Sequence, residues 1–221
     1  MYELRTESPG YRKLRAELLE AEIALKEQRE RVAELRRQLP TDTPVDDYAF
    51  QRIDLRAGGG VSPVSLSGLI GDGQRPLVLM HFMYGGAQTS FCPMCTMWAD
   101  GYDGAVPHME QRVAFGVVVA GDVEAFAAHG RERGWRNLRL LSSEGTSFKT
   151  DFGMENGEGG QMPGASVFVR GADGAPRHFY TGGAFMDGGH FRGMDLLSPV
   201  WHFLDLTRQG RSDWMPALSY E

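Results

Sequence analysis

Residues 77–95 read LVLMHFMYGGAQTSFCPMC. The first seven, Leu77 to Met83, form a continuous apolar run between turn-forming residues, which is typical of a strand buried on both faces of a sheet. A glycine-bearing loop follows, and then two cysteines separated by Pro93 and Met94. A Cys-x-x-Cys pair that follows a buried strand and opens a helix is a redox motif of α/β proteins. This stretch therefore decides both the fold class and the candidate site.

Strands and helices alternate on both sides of this stretch. Before it, the pattern predicts a strand over residues 48–55 and a short strand or turn over residues 64–70. After it, the pattern predicts a helix over 92–109 interrupted by glycines and a proline, a strand over 113–120, a helix over 123–133, a strand over 138–141, a helical turn over 147–152, a hairpin of strands 165–170 and 177–181, a helix over 194–206 and a loosely held tail over 212–221. A hairpin that follows βαβ units is the thioredoxin arrangement. We therefore predict an α/β fold, a thioredoxin-like mixed sheet flanked by helices, with a long N-terminal helical extension.

The N-terminal extension is a predicted helix over residues 10–39. Its seam alternates in steps of four and three, which is the repeat of a coiled coil; the seam consists of Leu14, Leu18, Ala21, Leu25, Gln28, Val32, Leu35 and Leu39. Such a helix either packs on its own domain or pairs with a second protomer. We assign residues 1–43 to this helix and a linker, and residues 44–221 to the thioredoxin-like domain, with a homodimer through the helix as the expected assembly.

Composition and charge exclude several classes of protein. The chain has 221 residues and a net charge of −6, which gives no electrostatic support to nucleic-acid binding. The longest strongly apolar stretch is too short to span a bilayer, and the first ten residues lack a signal-peptide core. We therefore expect a cytoplasmic protein with no membrane partner. Its two cysteines form no disulfide framework, and in a reducing compartment such a pair is catalytic, redox-sensing or metal-binding.

The position of Cys92 predicts an activated thiol. At a helix N-terminus, free N–H groups and the helix dipole favour a thiolate, which lowers the pKa of the cysteine. Pro93 suits the first helical turn, where its missing N–H costs nothing. Cys92 is therefore the expected attacking thiolate, and the more buried Cys95 is expected to resolve the mixed disulfide.

Three further residues are expected to surround the cysteines. Trp98 lies three positions after Cys95 and so falls on the same helical face. Met162 and Pro163 come directly before a strand, where a proline in thioredoxin-like folds is cis and frames an extended substrate. We expect Pro163 to be cis and Met162 to offer its backbone hydrogen bonds, in a site that needs neither a metal nor a cofactor.

The sequence also resembles a known family, the DUF899 proteins of the thioredoxin-like superfamily. The resemblance covers nearly the whole chain and is carried by His81-Phe82-Met83, Cys92-Pro93-Met94-Cys95-Thr96, Trp98-Ala99-Asp100-Gly101, His108, Gly134-Trp135, Leu141-Ser142-Ser143, Asp151-Phe152-Gly153, Pro163-Gly164-Ala165-Ser166-Val167-Phe168, Gly193-Met194-Asp195 and Leu204-Asp205-Leu206-Thr207. It implies a thioredoxin-like fold and no settled activity. The chain departs from the family in the loop Gly85–Phe91 and in the glycine-rich segment Gly182–Arg192, where a cleft near Met186 and His190 could bind a small ligand.

A thiol–disulfide oxidoreductase acting on a protein or small-molecule disulfide is the function that these observations favour. A thiol peroxidase is a second hypothesis, since Thr89 stands three residues before Cys92, as in the Pro-x-x-x-Thr-x-x-Cys loop of peroxiredoxins. Gly85 replaces the proline of that loop, however, and Arg177 is the one weak candidate for the cation that a peroxidase needs.

The cysteine pair is also compatible with roles that involve no catalysis. The cysteines could be small buried apolar residues, or the protein could be a non-catalytic redox-sensing or binding module that dimerises through its first helix. A zinc site would have to recruit His81 and His108, which lack the usual spacing to the cysteines, so we expect no metal.

Overall fold

The computed structural model describes residues 6–71 and 75–220, and it divides into one unit that ends at Pro40 and a second that begins at Thr41. The first unit is helix α1, Pro9–Arg37. Ser8 caps it by accepting a hydrogen bond from the Tyr11 backbone N–H over 3.1 Å, and Pro9 occupies the first turn. None of the residues of α1 is buried.

The second unit is built from ten strands and six helices within the described residues. The strands are β1 Thr43–Pro44, β2 Ala49–Asp54, β3 Ser62–Ser65, β4 Leu77–His81, β5 Ala114–Val119, β6 Arg139–Ser142, β7 Gly164–Arg170, β8 Pro176–Gly183, β9 Phe185–Met186 and β10 His190–Phe191. The helices are α2 Leu66–Ile70, α3 Pro93–Asp103, α4 Val106–Met109, α5 Val123–Glu132, α6 Phe148–Asp151 and α7 Pro199–Asp205.

Eight of these strands form one mixed sheet in the order β1-β8-β7-β4-β5-β6-β2-β3. Strands β4, β5 and β6 are parallel neighbours, whereas β7 and β8 form an antiparallel hairpin that joins the sheet at β4. The parallel connections require crossovers, and helices α3 to α5 supply them. The predicted α/β class with a thioredoxin-like mixed sheet and an N-terminal helix is confirmed.

The central strands are covered on both faces, as their unbroken apolar runs predict. In β5, Val117 and Val119 join the cluster that contains both cysteines and Phe126 of α5, whereas Val118 faces a second cluster around Phe148 of α6. This alternation is the period of two expected of a strand between two helical layers. The candidate site therefore lies in the layer of α3 and α5.

Several elements differ from the sequence prediction. Leu66–Ile70 is a short helix capped by the Ser65 hydroxyl, not a strand. Thr43, which the sequence assigns to the linker, pairs with His178 at the sheet edge, and the next residue, Pro44, pairs with Arg177. The interruption expected in the helix over 92–109 is present, however, since α3 ends at Asp103 and α4 begins at Val106.

The C-terminal region is also more ordered than the sequence suggests. The glycine-rich segment after β8 forms a second hairpin, in which Phe185 pairs with Phe191 and Met186 with His190. The helix expected over 194–206 is a single 3-10 turn, Asp195–Leu197, followed by α7. The predicted loose tail is anchored, since Arg133 donates a hydrogen bond to the Leu218 carbonyl over 2.6 Å.

Candidate redox site

Cys92 is the N-cap residue of α3, directly after the loop that leaves strand β4. Its backbone is extended, with φ −69° and ψ 123°, and its sulfur accepts a hydrogen bond from the Cys95 N–H over 3.4 Å. Pro93 occupies the first turn of the helix. The side chain is 7% exposed, so Cys92 lies at the edge of the core and not on an open surface.

The surroundings of Cys92 stabilise its thiolate. A hydrogen bond from the Cys95 side chain and the backbone N–H groups of Cys95 and Met94 lower the pKa of the Cys92 thiol to about 7, although burial opposes this shift. A thiol with such a pKa is substantially ionised at neutral pH and is close to the optimum for attack on a disulfide.

Cys95 has the opposite properties. It is completely buried, and both its hydrogen bond to Cys92 and its burial raise the pKa of its thiol. Both cysteines are free thiols in the structure. One thiol is thus poised for attack, while the second is held protonated one helical turn away.

Lys149 of α6 is a buried cation close to this pair. It is 2% exposed, and its Nζ donates a hydrogen bond to the carbonyl oxygen of Phe82 over 2.9 Å. Its positive charge lowers the pKa of Cys95, and burial lowers the pKa of Lys149 itself to about 8. A lysine is almost never fully buried without a functional or structural partner.

Sequence reasoning missed Lys149 because it sits in a predicted helical turn 54 positions after Cys95 in the chain. The one signal in the sequence was its place between apolar residues, since Phe148 and Phe152 on either side pack in the core with aromatic neighbours. A single sequence cannot distinguish such a lysine from one that points to solvent.

The loop between β4 and Cys92 is tightly turned. Gly85 has φ +99°, and a Cβ at this position would lie 2.1 Å from the Gly121 backbone nitrogen. Gln88 bridges the loop by donating to the Met83 and Ser90 carbonyls over 3.0 and 3.2 Å. Proline cannot adopt a positive φ, so the loop geometry is incompatible with the proline that peroxiredoxins carry at this position.

Neither of the possible peroxidase residues that the sequence offers, Thr89 and Arg177, donates a hydrogen bond to the Cys92 sulfur among the described residues. Thr89 is exposed to solvent, whereas Cys92 is buried. Arg177 lies near the turn between β7 and β8, where it pairs with Asp173 over 2.6 Å.

Met162 and Pro163 precede β7, as expected, but Pro163 is not cis, since no cis peptide bond occurs in the described residues. An X-Pro bond ordinarily prefers the trans form. In this form the backbones of Met162 and Pro163 both make hydrogen bonds. The Met162 N–H donates to the Met154 carbonyl over 2.9 Å, and the Pro163 carbonyl accepts from Ala184. The N–H of Met162 is therefore engaged and is not a free donor for a substrate.

Trp98 and His81 lie inside the core near the site. Trp98 is 3% exposed and belongs to the same apolar cluster as both cysteines. His81 is completely buried, bonds through Nε2 to the Ser166 hydroxyl over 2.8 Å, and is held neutral because burial lowers its pKa. Within the described ranges no group of three or more His, Cys, Asp or Glu side chains is placed to hold a metal ion.

Residues 3–220 match the model of a family described as bacterial protein of unknown function, DUF899. The chain belongs to this family. No curated protein matches its sequence. The predicted membership of the DUF899 family is therefore confirmed, and the family description itself assigns no activity.

Solved structures show what the DUF899 fold is similar to. The mitochondrial 2-Cys peroxiredoxin from Plasmodium falciparum superposes with a TM-score of 0.50 at 14% identity, over 76% of this chain and 95% of that chain. A mutant of PrxQ from Xylella fastidiosa superposes with a TM-score of 0.50 at 13% identity, over 75% of this chain and 98% of that chain. At such identities the similarity establishes a thioredoxin-like fold for this DUF899 protein and leaves its chemistry to be argued from the site.

A helix crosses a membrane only if it is both long and apolar. In residues 6–71 and 75–220, no helix combines the length and the apolar character that crossing a membrane requires.

Proposed function

We propose that this protein is a thiol–disulfide oxidoreductase in which Cys92 attacks a substrate disulfide and Cys95 resolves the product. The observation that carries the proposal is the position of the Cys92 sulfur at the N-terminus of α3, where it accepts the Cys95 N–H. The pKa of the Cys92 thiol is about 7, and a second thiol lies within the same helical turn. Such a pair is suited to two-step exchange.

The reaction has two steps that balance without a cofactor. The Cys92 thiolate attacks one sulfur of the substrate R–S–S–R′, which forms a Cys92–S–S–R mixed disulfide and releases R′–S⁻. Cys95 then loses its proton, and its thiolate attacks the Cys92 sulfur and releases R–S⁻. The substrate gains two electrons, the protein ends with a Cys92–Cys95 disulfide, and an external dithiol reductant must return it to the dithiol form.

Lys149 supports the second step as a positioning residue. Cys95 must ionise while it is fully buried, and burial strongly opposes a bare thiolate. The buried ammonium of Lys149 offsets this penalty through charge, because its field lowers the pKa of Cys95. Lys149 is itself held in place by the Phe82 carbonyl at the end of β4.

The site supports disulfide exchange better than peroxide reduction. Thr89, the threonine of the peroxidase hypothesis, is exposed to solvent. Arg177, the cation of that hypothesis, is paired with Asp173. The charge of Lys149 lowers the pKa of the resolving thiol, Cys95, whereas a peroxidase needs a cation beside the attacking thiol.

The experiment is to trap the mixed disulfide. Reduced Cys95→Ser protein is mixed with bis(2-hydroxyethyl) disulfide and, separately, with hydrogen peroxide, and the products are identified by mass spectrometry. We expect one hydroxyethylthio adduct on Cys92 at neutral pH and none on the Cys92→Ser variant. Rapid consumption of peroxide without adduct formation would instead identify a peroxidase, and inertness toward both would favour a sensing or structural role.

We further propose that residues 1–43 form a dimerisation element and residues 44–221 the catalytic domain. The apolar seam of α1 supports this, since several of its leucines, including Leu14, Leu18 and Leu25, are each more than half exposed. An isolated helix with an exposed apolar seam gains most of its stability by pairing that seam.

A further inference from the structure

A cavity of about 430 Å³ opens directly beside the cysteine motif. We call it the tryptophan pocket, and its lining includes Met94, Trp98, Pro163, Phe185, Trp201 and Trp214. Met94 is one of the two residues between the cysteines, so the pocket begins at the reactive helix turn. Its volume lies within the range of sites that bind small molecules.

More than half of the residues that line the pocket are aromatic or methionine. Trp98, Met194 and Trp201 are buried, whereas Phe185 and Phe191 of the β9–β10 hairpin are 63% and 69% exposed. Exposed aromatic side chains around a buried aromatic base form a surface that is stabilised when an apolar group covers it.

The charged residues of the lining are largely paired with each other. Arg192 donates to Asp195 over 2.7 Å, and Arg211 binds both Asp195 and Asp205 while its guanidinium lies 4.9 Å from the centre of the Trp201 ring. These groups offer few free partners to a polypeptide, whose backbone brings many polar groups that need hydrogen bonds when they are buried. The pocket therefore suits a compact apolar group better than a peptide.

Two donors of the lining lack partners. The indole Nε1 atoms of Trp98 and Trp201 are buried, and neither has an acceptor among the described residues. A buried unpaired N–H is costly and calls for a specific explanation.

We propose that the tryptophan pocket binds an apolar, ring-bearing half of a low-molecular-weight disulfide and thereby selects the substrate that Cys92 attacks. This inference rests on the proposed thiol–disulfide exchange. A ring held against Trp98 and Met94 leaves the attached sulfur next to the first turn of α3, which Cys92 caps. The glycine-rich segment Gly182–Arg192 supplies one wall of the pocket through Ala184, Phe185, Phe191 and Arg192.

The test compares two disulfides whose thiols have similar acidity, bis(2-hydroxyethyl) disulfide and benzyl 2-hydroxyethyl disulfide. The second-order rate of Cys92 oxidation is measured for the full chain, the Phe185→Ala and Trp214→Ala variants, and the control Phe203→Ala. Phe203 is 70% exposed and lies outside the lining, so it matches Phe185 in residue type and exposure. Binding of the unreactive thioether, benzyl 2-hydroxyethyl sulfide, is followed in parallel by tryptophan fluorescence of the Cys92→Ser protein.

We expect the full chain to prefer the benzyl disulfide by about tenfold or more. Phe185→Ala and Trp214→Ala are expected to reduce that preference severalfold, whereas Phe203→Ala keeps it, and the thioether is expected to quench the fluorescence. If the full chain reacts with both disulfides at equal rates and the thioether does not quench the fluorescence, the proposed role of the tryptophan pocket is wrong. The proposed thiol–disulfide exchange is unaffected by that result. No exchange with either disulfide would overturn the proposed function, and the substrate assignment with it.

Discussion

Lys149 donates a hydrogen bond from Nζ to the carbonyl oxygen of Phe82 over 2.9 Å, and this joins α6 to the end of β4 on the path to the cysteines. The bond holds an ammonium group in the core, where burial disfavours its charge. A protein that keeps such a residue gives up stability for it, which is typical of functional sites.

Lys149→Met is expected to keep or raise the stability of the protein while it slows the reaction of Cys95. The pKa of Lys149 falls from 10.5 to about 8, so the native state releases its proton more easily than the unfolded state. At pH 7 this costs the fold roughly 3 kcal/mol, offset by about 1 kcal/mol from the hydrogen bond to Phe82. The variant is expected to be at least as stable as the parent at pH 7, by urea denaturation.

The same residue predicts a pH dependence of stability with a definite sign. Between about pH 8 and pH 10.5 the unfolded chain binds a proton at Lys149 that the native chain has lost, so this group makes the protein more stable as the pH rises. The difference in free energy of unfolding between Lys149→Met and the parent is expected to shrink across that window. A constant difference from pH 7 to pH 10 would contradict the buried charge.

Lys149→Met is also expected to slow the second step of exchange and not the first. Without the cation the pKa of Cys95 rises further, so closure of the Cys92–Cys95 disulfide is expected to slow by about tenfold at neutral pH. Rapid quench-flow followed by mass spectrometry measures the rate at which the Cys92 adduct forms and, separately, the rate at which Cys95 resolves it. Equal slowing of both steps would mean that the substitution disturbs the site as a whole.

The alkylation rate of Cys92 is expected to reach its half-maximal value near pH 7, because the Cys95 thiol and, to a smaller extent, the N–H groups at the start of α3 lower the pKa of Cys92. Iodoacetamide labelling against pH, read at Cys92 by mass spectrometry, measures this. In the Cys92→Ser control, Cys95 is expected to react slowly over the same range, since burial raises its pKa. A midpoint near that of an ordinary thiol would refute the activation of Cys92.

The sequence was sufficient to predict the sheet and the cysteine motif, because both depend on local signals. The unbroken apolar runs of β4 and β5 and the position of Pro93 after Cys92 are compatible with few folds. The parts that could not be predicted depend on contacts between distant segments. Lys149 reaches the cysteines through the packing of α6, and the tail closes over α7 through Trp214, whose ring centre lies 5.8 Å from that of Trp201.

Asp100 is predicted to be a structural anchor between α3 and α5. It accepts hydrogen bonds from Arg133 and from the indole N–H of buried Trp135, the latter over 2.7 Å, and so joins α3 to the end of α5. Asp100→Ala leaves both donors without this acceptor, which is expected to lower the free energy of unfolding by about 2–3 kcal/mol. Asp213→Ala, at an exposed site, is the control and should have little effect; equal losses in both would exclude the anchor.

The seam of α1 predicts the oligomeric state of the full chain. Leu18 and Leu25 are 51% and 60% exposed and occupy seam positions, so lysines there would place charge in a paired interface. The double variant Leu18→Lys/Leu25→Lys is expected to convert a dimer to a monomer in light scattering, whereas Glu17→Lys/Glu20→Lys, off the seam of the same helix, adds charge and is expected to leave the dimer intact. A parent that is already monomeric would overturn the dimer, and a dimer that survives the seam lysines would place its interface elsewhere.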